Sequence, residues 1–108
     1  MIQYKVDFKG IPWETPMLGV RFKVSKQGGK QLRFVEYTKN MPPHWCEKGH
    51  WGYVLEGQFE IKFTTKVEVY NPGDGVFIPS GAEHKHMGKA LTDIVKVIFV
   101  EDVEGQTN

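Results

Sequence analysis

Apolar and polar side chains alternate with a period of two along most of this chain, in short runs cut by glycine and proline. That pattern belongs to half-buried strands, because successive strand residues point to opposite faces. Ile2, Tyr4, Val6 and Phe8 alternate with Gln3, Lys5, Asp7 and Lys9, and Val20, Phe22 and Val24 alternate with Arg21, Lys23 and Ser25. The Gly28-Gly29 pair supplies positive φ at little cost, so the run ending there and the run from Leu32 to Tyr37 read as a hairpin. Trp51 to Leu55, a turn at Glu56-Gly57, and Phe59, Ile61 and Phe63 read as a second hairpin. Val67 and Val69 precede Asn71-Pro72-Gly73-Asp74-Gly75, whose residue types favour a tight turn, and Val76 to Ile78 lead into Pro79-Ser80-Gly81. No helical period is long enough to count. The expectation is an all-β sandwich or barrel.

The last run, Ile94 to Val100, is apolar on both faces of its pleat. Val95, Val97 and Phe99 suit a core, whereas Ile94, Ile98 and Val100 need a second cover. A homodimer partner supplies that cover; an N-terminal strand over residues 2–8 is the alternative within the same chain. The polar tail 101–108 is expected to fray.

At 108 residues, 40% of them hydrophobic, the chain has material for one core and one domain over 1–108, with a barrel core about 19–100. A formal charge of +1 gives no basic surplus for phosphate neutralisation, so nucleic acid is not an expected partner. The longest near-apolar stretch is far below the roughly 20 residues that span a bilayer, so no membrane partner is expected either. The N-terminus alternates where a secretory signal would run continuously apolar, which points to the cytoplasm. Cys46 is the single cysteine, so its chemistry is that of a thiol or thiolate and the core has no disulfide staple.

All four histidines fall in two short windows, His44 with His50 and His84 with His86, and Cys46 lies inside the first. On an extended strand His44 and Cys46 share a face, with Trp45 and Glu47 on the other. A bend at Gly49 lets His50 re-enter on that face, and His84 arrives from behind the Pro79-Ser80-Gly81 turn. Three imidazoles and a sulfur converging in a barrel would bind a first-row metal. Taken singly, each residue also has an ordinary reading: a hydrogen-bonded histidine, a small buried thiol, a solvated His84 and His86 pair flanking Lys85. Trp45, Trp51 and Tyr53 can line a pocket or simply pack.

The segment His44 to Gly57 resembles the first motif of the cupin superfamily, which has two histidines one residue apart, then a glutamate, then a glycine. Counting back from Gly57 places His50 where that family has glutamate, Cys46 where it has the second histidine, and His44 at the first. Gly73, Pro79, Gly81 and His84 match the second cupin motif. The resemblance implies a double-stranded β-helix, or jelly-roll, barrel with His44, Cys46, His50 and His84 as ligands of one divalent transition metal per chain. Glu47 and His86 are alternative ligands or hydrogen-bonding supports. Exchanging the carboxylate for softer donors favours zinc, nickel, cobalt or copper over manganese, with iron still open. The function implied is action on a small organic molecule of the dioxygenase, isomerase or lyase type; a non-catalytic binding or sensing module and a metal-free barrel are the competing readings.

Overall fold

The computed structural model describes residues 1–103. Nine strands form it: β1 (Glu14–Met17), β2 (Val20–Gln27), β3 (Lys30–Thr38), β4 (His50–Glu56), β5 (Phe59–Lys62), β6 (Val67–Tyr70), β7 (Gly75–Ile78), β8 (Met87–Ala90) and β9 (Ile94–Asp102). They make a six-stranded sheet in the order β1-β2-β3-β9-β4-β7 and a three-stranded sheet in the order β6-β5-β8, with every pairing antiparallel. This is a jelly-roll barrel. No helix among the described residues is long and apolar enough to cross a membrane.

The Gly28-Gly29 hairpin forms as expected. Both glycines have positive φ, 61° and 76°, which is what a two-residue turn matching the strand twist requires. Gln27 pairs with Lys30, and the register then runs unbroken to Val20 opposite Tyr37. The Glu56-Gly57 turn is a different case. β4 and β5 do not pair: β4 lies between β9 and β7, and β5 lies in the other sheet between β6 and β8. Gly57, at φ 81°, carries the chain from one sheet to the other so close to β9 that a Cβ would overlap the Ile94 carbonyl. Period-two alternation sets which face each strand buries but not which strand it joins, and here the crossing closes the barrel.

Residues 2–8 form no strand. β1 occupies the edge beside β2 in its place, and a 3-10 turn over Phe8–Gly10 ends the segment. Asp7 accepts the Lys9 amide hydrogen at 3.1 Å as its cap. The segment nevertheless covers part of the outer face. Phe8 and Trp13 sit 6.0 and 5.8 Å from the Phe34 ring, and the Arg21 guanidinium lies 3.9 Å from the Trp13 ring centroid. That cover stops at β3. On the outer face of β9, β4 and β7, Val100, Tyr53 and Phe77 stay exposed, Phe77 at 78%.

Between the sheets, Val35, Val54, Val95 and Val97 are wholly buried, with Phe59, Ile61, Ile78 and Phe99 packed around them. The polar tail begins later than expected. Glu101 belongs to β9, on the inward phase of Val95, Val97 and Phe99, and is 1% exposed. Residues 104–108 of the expected frayed tail lie outside the described residues.

Candidate metal centre

Cys46 and His86 face each other across an isolated antiparallel bridge in which each amide donates to the other's carbonyl, at 2.8 and 2.9 Å. Residues paired in this way project to the same face. His50 opens β4 opposite Ile78, on the inward phase that continues through Gly52 and Val54. Gly49 sets that phase. Its amide donates to Ser80 Oγ at 2.8 Å, and a Cβ there would stand 2.7 Å from the same hydroxyl and 2.8 Å from the Ile78 carbonyl. The turn expected to deliver a histidine therefore also clamps the start of β4.

One ligand atom from each of Cys46, His50 and His86 lies within 4.8 Å of the other two. Hydrogen bonding at the far side of each ring sets the tautomers. His86 Nδ1 donates to the His84 carbonyl at 3.1 Å, and His50 Nδ1 donates to Glu101 Oε2. Each ring then turns its Nε2 toward the cluster. His50 Nε2 is 3.9 Å from Cys46 Sγ, while His86 Nε2 is buried with no hydrogen-bond partner among the described residues. An orphaned buried acceptor beside a thiol and a second imidazole is a donor set that could hold a cation.

The electrostatics agree. The hydrogen bond with His50 draws the Cys46 thiol below its ordinary pKa, outweighing the upward push of burial, with the Lys48 backbone helping. Burial lowers that of His86, so its imidazole is neutral, and the bond to the His84 carbonyl opposes this only in part. Both shifts favour the forms that bind metal.

Behind the cluster, Glu101 organises a network. Arg33 donates to it through Nε at 2.9 Å and Nη2 at 2.7 Å, and Gln31 Nε2 donates at 2.7 Å. Burial alone would raise the Glu101 pKa, but the hydrogen bonds from His50, Arg33 and Gln31, with the Arg33 charge, hold it well below the usual carboxylate range. A carboxylate fixing a histidine tautomer is a common support for a metal-binding imidazole.

The cluster opens onto a cavity of about 320 Å³ between the sheets. Met17, Val20, Phe22, Phe59 and Ile61 form its apolar wall, and His44 and Lys48 reach it from the loop before β4.

Of the residues expected at the site, Cys46 and His50 stand in the cluster, and His44 lines the same cavity. His44 is exposed, its Nδ1 donates to the Pro42 carbonyl at 3.1 Å, and among the described residues its Nε2 makes no hydrogen bond. His84 stands elsewhere. The backbone coils into a 3-10 turn over Ala82–His84, which breaks the strand phase that would align His84 with His86 and turns His84 into a separate groove beside Phe63 and Tyr70. His86, expected as an alternative, takes the inward place. Glu47 is exposed, and its carbonyl accepts the Gly81 amide at 2.9 Å. Trp45 and Tyr53 are also exposed, and Trp51 packs edge-on against Phe77 on the outer face, so none of the three lines the cavity. Sequence reasoning missed Glu101 and Arg33. The available signal was parity, since Glu101 continues the inward phase of Val95, Val97 and Phe99, and Arg33 shares that of Val35 and Tyr37.

A jelly-roll barrel whose interior carries histidine and cysteine donors at one end defines a small cupin-type protein. The chain belongs to the cupin family: residues 33–101, well over half of it, match the Cupin domain model. Solved structures agree on the fold. KdgF from Halomonas sp. is 23% identical, with 87% of this chain and 89% of that one covered at a TM-score of 0.69. The polyketide cyclase RemF from Streptomyces resistomycificus is 21% identical, with 95% and 81% covered at 0.75. An RmlC-like cupin from Shewanella frigidimarina is 15% identical, with 97% and 95% covered at 0.74. A search of curated proteins returns no match.

Proposed function

We propose that this cupin is a metal-dependent enzyme acting on a small organic molecule held in its barrel, with Cys46, His50 and His86 as protein ligands. The observation that carries the reading is the buried, unpartnered Nε2 of His86 beside Cys46 and His50. Three protein ligands leave coordination positions open, which suits catalysis better than a closed structural site. A divalent ion held there supplies Lewis acidity toward an oxygen-bearing ligand. The chain's own residues do the rest: Glu101 orients His50, the apolar wall excludes water, and His44 stands at the mouth with an Nε2 that no described residue bonds. A thiolate with two imidazoles favours zinc, nickel, cobalt, iron or copper over manganese. A free thiol in the site fits the reducing cytoplasm.

Metal analysis of protein purified without chelator or affinity tag tests this. The expected result is close to one divalent ion per chain, lost in His86→Ala and Cys46→Ser and retained in His84→Ala. After cobalt loading, a thiolate-to-metal charge-transfer band should vanish in Cys46→Ser. Protein with all three donors intact that takes up no metal under any loading condition overturns the reading. Retention of metal by His44→Ala together with loss of turnover separates the open site from a non-catalytic binding module.

The uncovered outer face of β9, β4 and β7 supports a homodimer, since Phe77, Tyr53 and Val100 form one apolar surface. Light scattering should report a dimer that Phe77→Lys converts to monomer.

A further inference from the structure

The cavity beside the metal cluster carries two cationic side chains, Arg33 and Lys48, and no acidic one among its lining residues. Glu101 stands behind the wall, and its oxygens are taken by His50, Arg33 and Gln31. Arg33 spends Nε and Nη2 on that carboxylate, which leaves Nη1 as its remaining nitrogen on the Tyr37 side of the cavity lining. The guanidinium is held in place by the Phe22 and Phe99 rings, 4.9 and 5.6 Å from its carbon. The Tyr37 phenol lines the same cavity, its ring stacked 4.7 Å from that of Phe59. Burial pushes its pKa up to about 12 against the pull of Arg33, so the hydroxyl keeps its proton. Apart from these groups, Gln31, His44 and the Cys46, His50 and His86 cluster, the wall is apolar.

We propose that the cavity takes a small carboxylic acid with an apolar body, its carboxylate turned to Arg33 and Tyr37 and its body against Phe22, Phe59 and Ile61. The proposal deepens the reading above, because it takes the cavity beside the cluster as the substrate site, but it does not need the ion to hold the acid. Charge decides the class: Lys48 adds a cation to the compensated Arg33–Glu101 pair and no acid lines the cavity, so the site disfavours ammonium compounds and favours an anion over its neutral amide. The limited number of donors and the extent of apolar wall favour a monoanion with hydrocarbon over a phosphate, which would need more donors around its terminal oxygens.

Titration of the purified protein with benzoate and benzamide, followed by calorimetry and by the Arg33 guanidinium N–H resonance, tests this, with metal content measured on the same sample. Benzoate should bind at least about tenfold tighter than benzamide and shift the Arg33 resonance. Tyr37→Phe should weaken benzoate about tenfold while leaving benzamide nearly unchanged, the effect expected for one hydrogen bond to a charged group. The paired variant Arg33→Met with Glu101→Leu, which leaves no lone buried charge, should abolish the preference for benzoate. Equal affinities for the two ligands overturn the proposal. So does benzoate binding that disappears in His86→Ala yet is untouched by Tyr37→Phe, since the ion alone would then hold the carboxylate. A benzoate preference that depends on Tyr37 in protein without metal supports this proposal while removing the metal reading.

Discussion

Along the inner face of β9, Val95, Val97 and Phe99 give way to Glu101, and the barrel divides at that step. On one side, the four wholly buried valines of β3, β4 and β9 meet with no polar side-chain atom to satisfy. On the other side, the same sheet buries the Glu101 carboxylate with the Arg33 guanidinium, the Gln31 amide and the His50 imidazole all bonded to it, and the His86 imidazole arrives beside them from the Cys46 bridge with its Nε2 unpartnered among the described residues. The apolar half gains free energy by leaving water. The polar half gains little that way, because desolvating Arg33 and Glu101 costs about as much as their pairing returns. What the network supplies is orientation: it fixes which nitrogen of His50 faces the cavity. One half keeps the barrel folded, and the other gives it a site that a hydrophobic core alone would not provide.

The sharpest way to break this division is to put a charge into the apolar half. Val97→Asp buries a carboxylate with no partner, and thermal melting should report a loss of roughly 5 kcal/mol or more, enough to unfold most of the protein. Next comes the polar half. Glu101→Ala strands the Arg33 guanidinium in the interior and should cost about 3 to 5 kcal/mol by denaturant titration. Removing both charges, as Arg33→Met with Glu101→Leu, should restore most of that stability while metal affinity falls about 10- to 100-fold, since His50 loses its orienting partner. Recovery of stability together with full metal affinity would show that the network does not orient the site.

The apolar half was the more legible one. Alternation placed Val95, Val97 and Phe99 inward and located the Gly28-Gly29 turn, because burial of apolar side chains and glycine φ are local properties of the chain. Two kinds of information were not local. The partner of β4 depends on closure of the barrel, so the Glu56-Gly57 turn looked like a hairpin. The phase of His84 and His86 depends on a 3-10 turn whose only cue was Pro79-Ser80-Gly81, so strand parity could not choose between them. Glu101 was hidden for a different reason: a polar residue near a chain end reads as tail, and only its partners Arg33 and Gln31, some seventy positions earlier in sequence, make burying it possible.

A smaller effect probes the seam between the halves. Gly88 lines the cavity opposite Ile61, and a Cβ there would approach Phe59 Cζ at 2.5 Å. Gly88→Ala should therefore push the Phe59 ring toward Tyr37 and cost about 1 to 3 kcal/mol in stability by overpacking. Metal content should not change, because the cluster does not touch that ring. A variant that keeps its stability and loses its metal would mean that the two halves are mechanically one.

The smallest expected effect is a slope with pH. Tyr37 is the inward residue of β3 whose hydroxyl belongs to the polar half and whose ring belongs to the apolar half, and burial raises its phenol from the ordinary 10.0 to about 12. The sign follows from which state loses the proton first. Between those values the unfolded chain has released it and the folded chain has not, so ionisation favours unfolding and stability falls as pH rises above 10, levelling near 12. Below 10 both states hold the proton and Tyr37 adds no slope. Tyr37→Phe should flatten this part of the curve in alkaline denaturant titrations. The tyrosinate absorbance lost in that variant should have its midpoint near 12 in the folded wild-type protein. A midpoint near 10 would mean that water reaches the hydroxyl freely, and the boundary between the two halves would then lie deeper in the barrel than Tyr37.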